Sequence, residues 1–152
     1  MEIRKVFRAE IAHRLSRAYT TRCLGVHGHS YKFEIFVKSD TLDENEMVMD
    51  FKLLKERANK FLDCFDHTLL IEEDDSFLVQ NASALNPRYM IVPYNTTAEN
   101  ISSHIYSQLK KLGLPINKVI VHETEDGCAI CEEENMIDLS KVYFSEALGF
   151  IA

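Results

Sequence analysis

Two alternating stretches, residues 3–13 and 27–37, stand thirteen residues apart and constrain the fold before anything else does. In the first, Ile3, Phe7, Ala9, Ile11 and His13 share one face, and Arg4, Arg8 and Glu10 share the other. In the second, His27, His29, Tyr31, Phe33, Ile35 and Val37 oppose Gly28, Ser30, Lys32, Glu34, Phe36 and Lys38. A period of two is the mark of a half-buried strand. The short connection predicts an antiparallel hairpin with a broad loop. The apolar face of each strand ends in histidine, and an imidazole there is costly unless something engages it.

Further along, the period changes. In "DFKLLKERANKFLD", Phe51, Leu54, Ala58, Phe61 and Leu62 fall on one helical face, with Asp50 as N-cap. "TTAENISSHIYSQLKKLGLP" predicts a second helix: Thr96 and Glu99 form a capping-box pattern, Ile101, Ile105, Leu109 and Leu112 make the apolar stripe, and Gly113 and Pro115 end it. "NKVIVHET" reads as a strand, and a fourth strand is expected from Cys128 after the turn "EDG". The resulting order, β-β-α-α-β-β, is α+β: a four-stranded antiparallel sheet with two helices on one face. The stretch from about 72 to 95 opens with "EEDD", read as a solvated loop, and "SFLVQ" and "RYMIVPY" suggest a small hairpin around "NASALNP". The tail from about 132 is amphipathic and has no assigned place. No internal repeat or second domain is evident, so residues 1–152 are read as one domain.

Apolar residues make up 46%, enough for a real core. No apolar run reaches membrane-spanning length, and the charged, alternating start is unlike a signal peptide. A cytoplasmic protein with reduced cysteines is therefore expected. The net charge of −7 argues against a nucleic-acid partner. The first 38 residues nonetheless carry a balance of +5, with −12 in the remainder. A basic histidine end suits a small anionic substrate, although solvated strand faces look the same.

His27 and His29, two apart on a strand, project from one face. Pairing of the strands brings His13 to them, and Gly28 permits close approach. Three imidazoles with a fourth position open form a catalytic zinc arrangement. A lone HxH pair is better explained by hydrogen-bonded histidines, whereas three on the inward faces of paired strands favour a metal. Cys23, four residues before His27, fits either a base whose pKa a nearby cation lowers or a fourth ligand in a closed site. Cys128 and Cys131 are read as two strand cysteines, since no second pair completes a zinc site. Asp66 and His67 are adjacent, as in a proton relay, or as an ordinary loop residue beside a helix-terminal cation. Glu123 alternates with Val119 and Val121, so its carboxylate needs a partner. The N–H pair of a flat ligand such as a pterin satisfies it, as does an arginine. Glu99 is accounted for by the capping box, though a helix N-terminus can also face a ligand.

Taken together, "IAHRL", "CLGVHGHSY", "MVMDF", "FDHTLL", "NTTAEN" and "VHETEDG", in this order, resemble the 6-pyruvoyltetrahydropterin synthase and 6-carboxytetrahydropterin synthase family. The resemblance implies the tunnelling fold, with sheets closing into an oligomeric barrel, as a homohexamer of two trimers. It implies zinc on His13, His27 and His29, a catalytic set of Cys23, Asp66 and His67, and pterin contacts from Glu123 and from the segment holding Thr97 and Glu99. The implied substrate is 7,8-dihydroneopterin triphosphate. The three residues "LGV" between Cys23 and "HGH" match the 6-carboxy branch, which releases acetaldehyde and triphosphate and feeds queuosine and other deazapurine pathways. The alternatives are the pyruvoyl branch, serving tetrahydrobiopterin synthesis, a related enzyme that only cleaves the dihydroneopterin side chain, and a non-catalytic zinc- or pterin-binding protein. Ile71 stands where the 6-carboxy branch often has asparagine, and the 72–95 insertion is longer than in compact members.

Overall fold

The computed structural model describes residues 1–135 and 137–146. The expected hairpin is its central feature. Strand β1 (Glu2–His13) pairs antiparallel with β2 (His27–Lys38) along its whole length, from Glu2 opposite Lys38 to His13 opposite His27. A short helix, α1 (Thr21–Leu24), occupies the connecting loop. Strand β5 (Ile116–His122) pairs antiparallel with β2, and β6 (Cys128–Cys131) with β5, so the expected four-stranded antiparallel unit is present.

The sheet is larger than the sequence predicted. It has seven strands in the order β6-β5-β2-β1-β3-β4-β7. Strand β3 (Thr68–Glu72) runs parallel to the end of β1, and β4 (Tyr89–Val92) runs parallel to β3. Strand β7 (Tyr143–Phe144) closes that side antiparallel to β4. The sheet is therefore mixed, and it is open in the single chain, with β6 and β7 at its edges. The hairpin expected around "NASALNP" is corrected by a helix, α3 (Ser76–Leu85), which Asp75 caps by accepting from the Leu78 N–H at 3.2 Å. That cap begins a helix where an apolar run alone reads equally well as strand.

Helices α2 (Phe51–Leu62) and α4 (Ala98–Lys111) cover one face of the sheet. Asp50 caps α2 as expected, accepting from Lys52 and Leu53 N–H at 2.9 and 3.0 Å. Leu54, Ala58, Phe61 and Leu62 are buried, but Phe51 is half exposed, outside the core stripe. The N-cap of α4 is Thr97, one residue later than the capping box suggested. Gly113, at φ +81°, ends α4 in the left-handed region. Helix α3 lies on the opposite face. Its Leu78 and Ala82 pack with Leu69 and Ile71, while Leu70 between them faces the main core. Within the tail, the Asn135 amide donates to Ser103 Oγ at 2.9 Å, fixing the chain beside α4. The rest of the amphipathic tail, residue 136 and 147–152, lies outside the described residues.

His104 sits in the core against Phe61 and Phe65 and shares a 2.6 Å hydrogen bond with the Tyr94 hydroxyl. Burial pushes its pKa down to about 3. The folded chain thus keeps it neutral where the unfolded chain, at about 6.5, takes up a proton. Its contribution to stability is complete above pH 6.5 and falls as pH drops toward 3, by up to about 1.4 kcal/mol per pH unit. Urea midpoints measured from pH 7 to 4.5 should fall less steeply for His104→Phe than for the natural chain. Equal slopes would remove His104 as the source.

Candidate active site

The register of β1 and β2 builds the site. His13 faces His27 directly, and Ile11 faces His29. Alternation puts the three rings on one side, with centroids 4.7 Å (His13 to His27), 5.5 Å (His13 to His29) and 4.9 Å (His27 to His29) apart. One ring nitrogen from each lies within 4.8 Å of the others. His13 is fully buried, and its Nδ1 lies 2.9 Å from the Thr96 carbonyl oxygen and 3.1 Å from Thr96 Oγ1. A carbonyl only accepts, so Nδ1 carries the proton and Nε2 presents a lone pair. His27 repeats the device, with Nδ1 at 2.7 Å from the Gly25 carbonyl. The buried His13 Nε2 has no hydrogen-bond partner.

These features fit a metal. Two of the three imidazoles have their tautomer set by a backbone acceptor, the usual outer-shell arrangement for zinc-binding histidine. Burial lowers the pKa of His29 against the pull of Glu123, and the other two imidazoles lower it further, favouring the neutral form that a metal needs.

Glu123 lies just past the end of β5, and its Oε1 is 3.4 Å from both His13 Nε2 and His29 Nε2. The buried Tyr31 hydroxyl donates to the same oxygen at 3.3 Å. The hydrogen bond to Glu123 comes from Tyr31, and the two imidazole nitrogens lie beside the same oxygen. Burial raises the Tyr31 phenol well above its usual value, so it stays a donor. From the sequence Tyr31 reads as a core residue, although it is the next residue on the face of His27 and His29. Thr96, which orients His13, reads from the sequence as a helix cap, a role that Thr97 takes instead.

Cys23 is in α1, half-buried, with the Thr20 hydroxyl 3.3 Å from its sulfur. The Leu15 N–H donates to the Cys23 carbonyl at 2.8 Å, closing the loop between β1 and β2. Thr97 caps α4 next to Thr96, whereas Glu99 is exposed and lines a separate cavity with Ser102, Ser103 and Cys131. The structure does not bring Glu99 to the histidines.

Asp66 Oδ2 and His67 Nδ1 are 2.9 Å apart. The Glu10 backbone grips both residues: its N–H donates to Asp66 Oδ1 at 2.8 Å, and its carbonyl accepts from the His67 N–H at 2.7 Å. Burial raises the Asp66 pKa, but the Glu10 N–H and His67 outweigh it, and the carboxyl stays below its ordinary range. His67 sits at φ +54°, rare for a residue with a side chain. His67 lines a cavity of about 460 Å³ that His29 also borders, with Glu10, Ala12, Gly28 and Ser30 forming much of its wall. Those four have the opposite alternation to His13, His27 and His29, so the Asp66–His67 pair and the histidine cluster lie on opposite faces of the β1–β2 ladder. A methyl group at position 28 would meet the Ile11 carbonyl at 3.4 Å, an ordinary contact, so space alone does not demand the glycine there.

Known proteins match this sequence and this fold. The family model described as 6-pyruvoyl tetrahydropterin synthase matches residues 2–134. The 6-carboxy-5,6,7,8-tetrahydropterin synthase of Aquifex aeolicus is 31% identical, over 88% of this chain and 98% of its own. The protein of that name from Haemophilus influenzae is 33% identical, over 72% and 82%. Among solved structures, the uncharacterized protein WS1659 of Wolinella succinogenes superposes with a TM-score of 0.73 at 20% identity, over 88% of this chain and 98% of that one. The 6-pyruvoyl tetrahydropterin synthase of Caenorhabditis elegans gives 0.66 at 20% identity, over 88% and 95%. At that identity the structures speak for the fold alone. With the family model spanning nearly all of the described residues, the chain belongs to the 6-pyruvoyl tetrahydropterin synthase family of enzymes.

Proposed function

We propose that the chain is a zinc-dependent lyase of the 6-carboxytetrahydropterin synthase type. In this reading it converts 7,8-dihydroneopterin triphosphate, with uptake of water, to 6-carboxy-5,6,7,8-tetrahydropterin, acetaldehyde and triphosphate, within queuosine and deazapurine biosynthesis. The observation that carries this reading is the convergence of three histidine nitrogens beside a carboxylate. The curated relatives' names and the three-residue "LGV" spacing favour the 6-carboxy product over the pyruvoyl one.

His13, His27 and His29 would hold the zinc. A bound zinc supplies Lewis acidity that polarises substrate oxygens and acidifies neighbouring groups. Glu123, helped by the segment around Thr97 at the N-cap of α4, anchors the pterin ring by accepting from its N–H pair. Glu99 keeps only its place in the motif as support. Cys23 acts as the base that removes a proton from the substrate side chain. His67, oriented by Asp66, moves a second proton. Triphosphate departs with its bonding electrons, and scission of the side chain releases the two carbons of acetaldehyde.

In this reading residues 1–152 form a single pterin synthase-like domain with an insertion at about 72–95 and a tail from about 132. The free thiols suit the cytoplasm. Among the described residues no helix is long and apolar enough to cross a membrane. The partners are the pterin substrate and further copies of the chain, as a homohexamer of two trimers. Support for a shared site is the opposite alternation of the histidine cluster and the residues beside the Asp66–His67 pair on the β1–β2 ladder.

Incubation with dihydroneopterin triphosphate should yield acetaldehyde and carboxytetrahydropterin; a pyruvoyl product selects the other branch, and no turnover defeats the enzyme reading. His29→Ala should lose most of its zinc by metal analysis, while Cys23→Ala keeps it and loses about 10²-fold or more in turnover. Full zinc in the first variant, or metal loss in the second, would reverse those two roles. Cys23→Ala and His67→Ala, each inactive alone, should regain activity when co-expressed as mixed oligomers several times 17.5 kDa. An active monomer, or no regain in mixed oligomers, would rule out the shared site.

A further inference from the structure

We infer that the β3–α3–β4 segment clamps the loop carrying Cys23, with Glu72 and Asp75 as positioning residues. These two carboxylates, read from the sequence as part of a solvated acidic run, are 4% and 6% exposed. Burying a carboxylate is costly unless charge and hydrogen bonds compensate it. Here all the compensating side chains come from one short stretch of the β1–β2 loop. Asp75 takes both guanidinium N–H groups of Arg14, at 2.6 and 2.7 Å. Glu72 takes the Arg17 guanidinium at 2.8 Å and the Ser16 hydroxyl. Two residues that follow β4 complete the grip: the Asn95 amide donates to the Arg17 carbonyl at 3.2 Å, and Thr96 Oγ1 to the Arg14 carbonyl at 3.2 Å.

The grip reaches the candidate site by two routes. The residue between Arg14 and Ser16, Leu15, bonds the Cys23 carbonyl, so fixing the arginines fixes the span that ends at the thiol. Thr96, which holds Arg14, also contacts His13 Nδ1, so loop and metal cluster share an anchor. The segment does not need these charges for its own attachment. Its strands are held by parallel ladders and its helix by the Leu69, Ile71, Leu78 and Ala82 cluster. Asp75 caps α3 with one oxygen while both oxygens face Arg14. A bidentate pair fixes direction as well as distance, which suits the placement of a reacting group.

The catalytic part of this inference rests on the base role proposed for Cys23; the ordering of the loop does not. The loop supplies its own probe, because trypsin cleaves after Arg14, Arg17 and Arg22. In the full-length, metal-loaded Glu72→Gln/Asp75→Asn protein, cleavage at Arg14 and Arg17 should quicken about tenfold or more, with cleavage after Lys55 and Lys60 in α2 unchanged. The alkylation rate of Cys23 relative to exposed Cys128 should shift at least about fivefold, and kcat should fall about tenfold with KM within about twofold. If the double variant does not fold, Glu72→Gln alone, whose amide still accepts from Ser16, is read the same way. Loop cleavage at the natural rate overturns the clamp. Faster cleavage with unchanged Cys23 alkylation and unchanged kcat overturns the positioning role. Absence of turnover in the natural chain defeats the enzyme reading instead, and trypsin and alkylation then decide the clamp by themselves.

Discussion

The pairing of β1 with β2 governs the rest of the molecule. Its register places His13 opposite His27, and a slip of one residue would move every ring to the other face. The same ladder carries Tyr31, Phe33, Ile35 and Val37 into the core, so the apolar side chains that anchor the register also aim the imidazoles. Polar geometry at the site is thereby set by hydrophobic burial away from it. The backbone acceptors at Thr96 and Gly25 then need only turn the rings already delivered to them.

A second organising feature is the placement of strain and charge at the loop ends. His67 is held in the left-handed region by the Glu10 peptide on one side and Asp66 on the other. Such a conformation persists only where neighbours over-determine it, and it belongs to a residue on the cavity wall. Glu72 and Asp75 are likewise held by several partners each. Stiffness is thus concentrated where the candidate chemistry is, on both faces of the ladder.

Much of this was legible in the sequence, and the reasons differ by element. The hairpin, Asp50, the α4 stripe and β5 follow from period and capping, which are local properties. Strand β3 escaped because "TLLIE" is buried on both faces and shows no alternation. Helix α3 was mistaken for part of a hairpin because an apolar run of five residues does not reveal its period. The acidic run "EEDD" was read as solvated because the arginines that pair with it lie some sixty residues earlier, a separation invisible to local pattern. In the site, the three histidines and the Asp66–His67 pair were visible from type and spacing. Tyr31 and Thr96 were not, since their work is done through hydrogen bonds set by the tertiary fold.

The internal pairing of the basic end bears on how the chain meets a ligand. Counted along the sequence, residues 1–38 form an electropositive lobe of +5. In the folded chain Arg4 is bound to Glu34, Arg14 to Asp75 and Arg17 to Glu72. Two of these partners come from beyond residue 38 and cancel charge the count had credited to the lobe. The field reaching into solvent is correspondingly weaker, and at a Debye length of about 8 Å little of it extends past the mouth of the site. Capture of a polyanion is then governed by short-range contacts after collision more than by long-range attraction, and the encounter rate should vary with ionic strength less steeply than the charge tally suggests.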